Sequence, residues 1–251
     1  MALLENWQQF FEEDYLSVED HILPKTRTDL EVEQIIKRFQ LPLGARILDL
    51  GCGTGRLSIP LSQAGFQVVG IDGAPILINA AKAANEQAGA AVEFIHQDMR
   101  ELDREEEFDA VINFGTAFGY CAHEWEDQDI LRRVWRALRP GGQFLMDYEN
   151  RELRIQSAFG KRWEKLGGKL VYVHREFDCA TGHWMEKLSW LEGADRKKKV
   201  LHQRFYATTE MIRMCRHAGL HVQEVYGDID FSRLEVNSPR VLIWAKRGEV
   251  E

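Results

Sequence analysis

The sequence predicts an α/β fold: a mostly parallel, seven-stranded sheet with helices on both faces, an N-terminal helical cap and an antiparallel β insert. Three observations carry this. Short apolar runs alternate with helical segments through the first 150 positions, as βαβ units with right-handed crossovers do. The alternation breaks after Asn150 and gives way to period-two stretches separated by turn residues. It resumes with one amphipathic helix and two final strand-like runs.

The elements follow in order. "LENWQQFFEEDYL" reads as a helix, and after Pro24 the segment "TRTDLEVEQIIKRFQL" sets Leu30, Ile35 and Ile36 at helical spacing, with Thr28 or Asp29 as cap. "LPLG" is a turn before the first strand, "ARILDL". A glycine loop and the helix "RLSIPLSQAG" follow, stopping at Gly65. "FQVVGID" is the second strand, and Pro75 opens the next helix, where its fixed φ suits a first turn. "VEFIHQD" is the third strand and "MRELDREEE" an acidic helix or loop. "FDAVINFG" is the fourth, followed by a helix from Asp127 to Leu138, the "RPGG" turn and the fifth strand, "QFLMDY". From Lys169 to Phe205 three stretches form the antiparallel meander: "LVYVHREFD", "HWMEKLSWLEG" and "KKVLHQRFYA". "TTEMIRMCRHAGL" is a helix, and "HVQEVYGDI" and "RVLIWAKR" make an antiparallel hairpin at the sheet edge. The chain is therefore one domain: a cap over 1–40, a core over 41–150, a lid-like insert over 151–207, and a C-terminal helix with edge strands over 208–251.

Composition narrows the function. A 251-residue chain with 45% hydrophobic and 29% charged residues suits one large α/β domain. No apolar run reaches the roughly 18 residues a membrane helix needs. The N-terminus lacks a basic start and a small-residue cleavage site, and the four cysteines (Cys52, Cys121, Cys179, Cys215) show no CxxC pair or zinc spacing. A cytoplasmic protein with no metal is expected. The formal charge of −8 argues against a nucleic-acid footprint, which needs a basic stripe.

The chemistry concentrates in "ILDLGCGTGRLS". A dinucleotide fingerprint needs G-x-G-x-x-G, and its third glycine position is Arg56 here. The pattern present is D-x-G-x-G-x-G, from Asp49 through Gly51 and Gly53 to Gly55. Small residues there let a ligand lie against the main chain, and Asp49 supplies negative charge beside it. Asp72 ends the second strand, where an acid accepts ribose hydroxyls.

Together with "HQDM", "FDAVINFG" and "RPGGQFLMD", this run closely resembles the motifs of class I S-adenosylmethionine-dependent methyltransferases, whose sheet is Rossmann-like. The resemblance implies S-adenosyl-L-methionine as cofactor, held by Asp49, Gly51, Cys52, Gly53, Gly55, Asp72 and Gly73. Asp98 would accept from the adenine amino group and Met99 offer its amide and a soft face to the ring. Asn113 and Phe114 would line the carboxyl edge, and Arg27 would pair with the methionyl carboxylate.

Along nearly its whole length the chain also resembles bacterial small-molecule methyltransferases, including sugar and amine N-methyltransferases. The resemblance rests on "FFEEDYL", "HQDMREL", "FGTAFGY", "RALRPGGQFLMDYENRE" and "RFYATTEM". It implies a small-molecule acceptor methylated on N or O by in-line displacement, and an insert able to form a homodimer contact. A non-catalytic regulatory protein that binds the same cofactor, and a protein- or RNA-modifying methyltransferase, stay open as alternatives. "NFGT" departs from the [DN]PP[FYW] motif of nucleic-acid amino-group methyltransferases. His123 is the candidate general base, as the best-placed neutral base after the fourth strand. Tyr15 is a candidate for closing over the methyl group. Tyr120, Tyr148, Asn150, Arg204 and Tyr206 are the candidate acceptor contacts, with His202, Arg204 and Tyr206 on one strand face.

Overall fold

The structure, a computed structural model, describes residues 7–13, 15–16 and 23–248. Positions 4–6 and 14 of the expected N-terminal helix, and 1–3 and 17–22 of the cap, lie outside the described residues.

Seven strands form the main sheet: β1 (Arg46–Leu50), β2 (Gln67–Asp72), β3 (Glu93–His96), β4 (Phe108–Asn113), β5 (Leu138–Glu149), β10 (Leu220–Tyr226) and β11 (Arg240–Arg247). Their order is β10-β11-β5-β4-β1-β2-β3. The five from β3 to β5 are parallel, while β11 and β10 run antiparallel at one edge, as the sequence predicts. From β1 the chain winds outward to β3, then returns to place β4 on the other side of β1. That reversal opens a crevice above the carboxyl ends of β1 and β4.

Strands covered on both faces must be apolar on both, and their residues divide by alternation between two cores. Leu48, Leu50, Val111, Phe144 and Met146 pack beneath α5 (Glu124–Ala137) and α7 (Thr208–His217). Ile47, Ala110, Ile112 and Leu145 face α2 (Lys25–Phe39), α3 (Ser58–Gln63) and α4 (Pro75–Ala88) through Ile35, Phe39, Leu61 and Ile78. Burying such side chains contributes roughly 1.5–3 kcal/mol each, which fixes the register of the strands. α4 starts on Pro75 and ends at Gly89 in the left-handed region (φ 61°), the asymmetry expected of helix ends. α5 carries Glu124, Glu126 and Asp127 in its first turn and Arg136 in its last, matching its dipole.

Four boundaries differ from the sequence reading. "RPGG" is not a free turn before a strand. Register jumps from Phe108↔Leu138 to Ala110↔Gln143, so Arg139–Gly142 bulge outward within a longer β5. α5 begins at Glu124, three residues earlier than expected, because its acidic first turn hides the apolar period. After Asn150, where no element was expected, α6 (Arg151–Ala158) forms, capped by Asn150 Oδ1, which accepts from the Leu153 amide at 3.4 Å. The insert has four strands rather than three: β6 (Gly160–Leu166), β7 (Lys169–Asp178), β8 (His183–Glu192) and β9 (Asp195–Arg204), antiparallel in that order. β6 reads "GKRWEKL", and its inward Glu164 pairs with Arg175 of β7 instead of presenting an apolar residue, so no hydrophobic alternation marks it.

The insert returns to the core through one polar knot. The Arg204 amide donates to Gly119 O at 2.7 Å, and the Tyr148 hydroxyl donates to Arg204 O at 2.6 Å while accepting the Tyr206 amide at 3.2 Å. Gln203, buried, donates to Thr116 O and Phe118 O at 3.1 and 2.7 Å. Gly119 is needed there: a Cβ on it would lie 2.4 Å from Arg204 O. Among the described residues no helix is long and apolar enough to cross a membrane.

Candidate active site

The loop after β1 turns so tightly that Gly51 and Gly53 both adopt positive φ, 79° and 55°, which L side chains rarely take. A Cβ on Gly51 would meet Ala117 Cβ at 2.5 Å, so the loop presses directly on the segment after β4. The Gly51 and Cys52 amides donate to Ile71 O at 2.7 and 3.0 Å, which ties the loop to the end of β2. Asp72 finishes the tie. Its Oδ2 accepts the Gly53 amide and its Oδ1 the Ala74 amide, each at 2.8 Å. Burial raises the Asp72 pKa, and these two amides oppose the rise. Asp49, buried beneath the loop, accepts from Ser58 Oγ at 2.6 Å; burial pushes its pKa up to about 6, against the pull of Ser58 and Arg56.

Above this loop lies a cavity whose empty space, open solvent at its mouth included, is about 1000 Å³. Its floor is Asp49, Gly51, Gly53 and Asp72; its far wall carries Asp98, Met99 and Cys121; and aromatic rings roof it. Trp7, from the single helical turn α1 (Trp7–Phe10), lies on Gly73, where a Cβ would meet its ring at 2.4 Å. Phe11 stands edge-on to Tyr15 at 4.9 Å and to Tyr120 at 5.9 Å between ring centroids. These contacts bring the N-terminal segment over the crevice.

The structure thus gathers most of the predicted cofactor set around one space: Asp49, Gly51, Cys52, Gly53, Asp72, Gly73, Asp98, Met99 and Phe114, with Tyr15 and Tyr120 beside them. Asp98 has a further partner, since Arg100 donates to it from its amide at 2.8 Å and from its guanidinium at 2.7 Å and also reaches Glu126 at 3.1 Å.

Other predicted residues lie elsewhere. Gly55 (φ 81°) is a packing residue: a Cβ there would strike Phe94 at 2.6 Å. Asn113 is buried and donates to Leu50 O at 2.7 Å, clamping the ends of β1 and β4. Arg27 donates to Glu31 at 2.8 Å and lies 3.9 Å from Asp147, behind the cavity wall. Tyr148 and Tyr206 belong to the insert's knot, and the Tyr206 hydroxyl also donates to Asp127 at 2.7 Å. Asn150 caps α6 and donates to Ser238 O at 2.8 Å. Arg204 ends β9 opposite His183 and donates to Thr181 O at 2.8 Å. The shared face of His202 and Arg204 stops there, because the chain leaves the sheet before Tyr206 and turns inward. His123 is corrected most sharply. It is exposed at the cap of α5, its amide donates to Glu126 at 3.0 Å, and its ring stacks on exposed Trp125, outside the cavity.

The sequence reading missed five lining residues that carry chemistry or shape: Trp7, Phe11, Arg56, Arg100 and Asp127. Arg56 donates to Thr28 at 3.0 Å and to Glu31, and its place directly after the glycine loop was the available signal. Asp127 reads as an ordinary first-turn acid. Only packing shows it buried, its pKa raised by that burial to about 6 and held back by the Tyr206 hydroxyl.

Comparison with known proteins agrees with this geometry. Residues 47–142 match a family described as Methyltransferase domain. The chain is 30% identical over 209 residues to the cypemycin N-terminal methyltransferase of Streptomyces sp, covering 81% of this chain and 84% of that protein. It is 28% identical over 200 residues to the ubiquinone biosynthesis O-methyltransferase of Xanthomonas axonopodis pv. citri (strain 306), covering 79% and 71%. In fold it is similar to an S-adenosylmethionine-dependent methyltransferase from Clostridium acetobutylicum ATCC 824, with a TM-score of 0.80 at 18% identity over 97% and 100% of the two chains. The loop after β1, the acids at neighbouring strand tips and these relatives converge: the chain belongs to the class I S-adenosylmethionine-dependent methyltransferases.

Proposed function

We propose that this methyltransferase acts on a small molecule, moving the cofactor's methyl group to a nitrogen or oxygen of an acceptor that enters beneath the aromatic roof. The observation that carries the reading is the enclosure of the crevice: Trp7, Phe11 and Tyr15 cover it from one side and Tyr120 from the other, so the transfer occurs in a space shaped for a compact acceptor. The names of relatives, a glycine/sarcosine N-methyltransferase and a ubiquinone biosynthesis O-methyltransferase, span both atom types.

S-adenosylmethionine supplies an electrophilic methyl on a sulfonium sulfur. The residues present suit it. Gly51 and Gly53 let a ligand approach the main chain. Asp72 suits the ribose, Asp98 and the Met99 amide the adenine edge, and Asp49 the ammonium. For the methionyl carboxylate the lining favours Arg56 over Arg27. Arg27, Arg56 and Arg240 share only Glu31 and Asp147 as ion-pair partners among the described residues, which leaves one positive charge for an incoming carboxylate. Tyr15 and Tyr120 bound the place where methyl and acceptor meet, and the protein's work there is orientation and exclusion of water. We read the chain as one domain with the boundaries given above, and its four free cysteines favour a reducing compartment, the cytoplasm.

The test is transfer of label from methyl-labelled S-adenosylmethionine to a panel of cell metabolites, with total protein and RNA as parallel acceptors. Label in a metabolite supports the proposal; label only in protein or RNA overturns it.

A further inference from the structure

Four acids line the cavity among the described residues: Asp49, Asp72, Asp98 and Asp127. The first three suit the ammonium, the ribose and the adenine edge of the cofactor. Asp127, in the first turn of α5, is matched to no part of it. It is 1% exposed, and its two oxygens differ in their surroundings. Oδ2 accepts the Tyr206 hydroxyl at 2.7 Å, whereas Oδ1 is buried with no hydrogen-bond partner. Folded proteins leave few buried acceptors bare, because each has given up its water for nothing. A bare oxygen on a residue that borders a ligand cavity is completed when a donor enters.

The surroundings of Asp127 identify the donor. Arg100, in the turn after β3, binds Asp98 and also reaches Glu126 at 3.1 Å, so the first turn of α5 lies against the tip of β3. Burial raises the Asp127 pKa, and the Tyr206 hydroxyl, Cys121 and Arg204 oppose the rise; Cys121 lines the same wall of the cavity as Asp98 and Met99. Asp127 therefore borders the part of the cavity where the adenine edge is read. Three N–H groups of Arg100 already point at Asp98: the amide at 2.8 Å, Nε at 3.1 Å and Nη2 at 2.7 Å. A carboxylate offers about four lone-pair sites, so Asp98 has room for one more donor. The amino group of adenine brings two.

We infer that Asp127 is a further cofactor-binding residue: its Oδ1 accepts the second N–H of the adenine amino group, while Asp98 accepts the first. This rests on the methyltransferase reading above and extends it to a residue outside every motif of the sequence. It also joins the cofactor to the insert. The Asp127 carboxylate bridges the adenine and the Tyr206 hydroxyl, and the Tyr206 amide is held in the knot through which the insert returns to the core.

Calorimetry with two ligands tests this without knowledge of the acceptor: S-adenosylhomocysteine and its 6-deamino analogue, in which hydrogen replaces the amino group. Wild type should favour S-adenosylhomocysteine by about 100-fold, as two hydrogen bonds to carboxylates would give. Asp127→Asn should reduce that preference by about tenfold and leave affinity for the deamino analogue within about twofold. A purely structural Asp127 predicts a different result: the two ligands weaken together or not at all, and an unchanged preference overturns the inference. Binding of neither ligand by folded wild type strikes the cofactor reading instead, and the inference with it. If Asp127→Asn does not fold, wild type carries the test with the N6-methyl analogue, which keeps a single N–H. That analogue should bind about tenfold more weakly than S-adenosylhomocysteine, and equal affinity overturns the inference.

Discussion

Asp72 Oδ2 accepts the main-chain amide of Gly53 at 2.8 Å, so the tip of β2 sets the conformation of the loop that follows β1. One carboxylate both shapes the cavity floor and faces the ligand space. Asp72→Ala removes two amide acceptors and a ribose contact together. It should lower S-adenosylhomocysteine affinity by about 100-fold and folding stability by about 1–3 kcal/mol. Calorimetry and urea unfolding measure the two effects; normal affinity in a destabilised protein would confine Asp72 to a structural role.

Arg56 and Arg27 share Glu31 but differ in access, since Arg56 lines the cavity and Arg27 does not. Arg56→Ala should weaken binding of S-adenosylhomocysteine by about tenfold or more, whereas decarboxylated S-adenosylhomocysteine should bind both forms alike. Arg27→Ala should cost less than about threefold for either ligand. The reverse order of losses would return the carboxylate to Arg27.

Two buried aspartates make stability depend on pH. Asp49 and Asp127 both have pKa values raised from 3.8 to about 6, chiefly by burial. In the interval between those values the folded state holds protons that the unfolded state has released. Their contribution is therefore fully present below pH 3.8 and is lost as pH rises through about 6. Urea midpoints should show this loss, and Asp127→Asn should flatten the slope between those limits. Glu164 acts oppositely. The Arg175 hydrogen bond lowers its pKa to about 2, so its contribution is present above 4.5 and is lost as pH falls through about 2. Identical slopes for wild type and Asp127→Asn would show that Asp127 titrates normally.

His123 stands outside the cavity with an exposed ring stacked on Trp125. His123→Ala should leave the rate of methyl transfer within about twofold, far short of the 10²-fold or greater loss a missing general base produces. Steady-state kinetics on any identified acceptor settles the matter. A loss on the larger scale would mean that the cap of α5 moves into the site during turnover.

Much of the fold was legible because parallel strands covered on both faces have to be apolar, and because proline and glycine mark helix ends where the backbone demands them. The cofactor wall was legible for a similar reason. Gly51, Gly53 and Asp72 are consecutive requirements of one strand-turn-helix geometry, so their spacing along the chain encodes their spacing in space. β6 and α6 were not legible. Glu164 satisfies its inward position with an arginine from another strand, and the cap of α6 is a single asparagine that reads equally well as a ligand contact.

The amino-acid order by itself determined the sheet, the bend after β1 and the row of acids at neighbouring strand tips, because each follows from apolar periodicity, local backbone limits and the fixed hand of βαβ crossovers. Tertiary structure alone decided which polar side chains face the ligand space. It turned Tyr148, Asn150 and Tyr206 into struts, sent His123 to the surface and brought Trp7 over Gly73. Those outcomes depend on how charges and hydroxyls from distant segments satisfy one another once buried, and no periodicity along a single chain records that pairing.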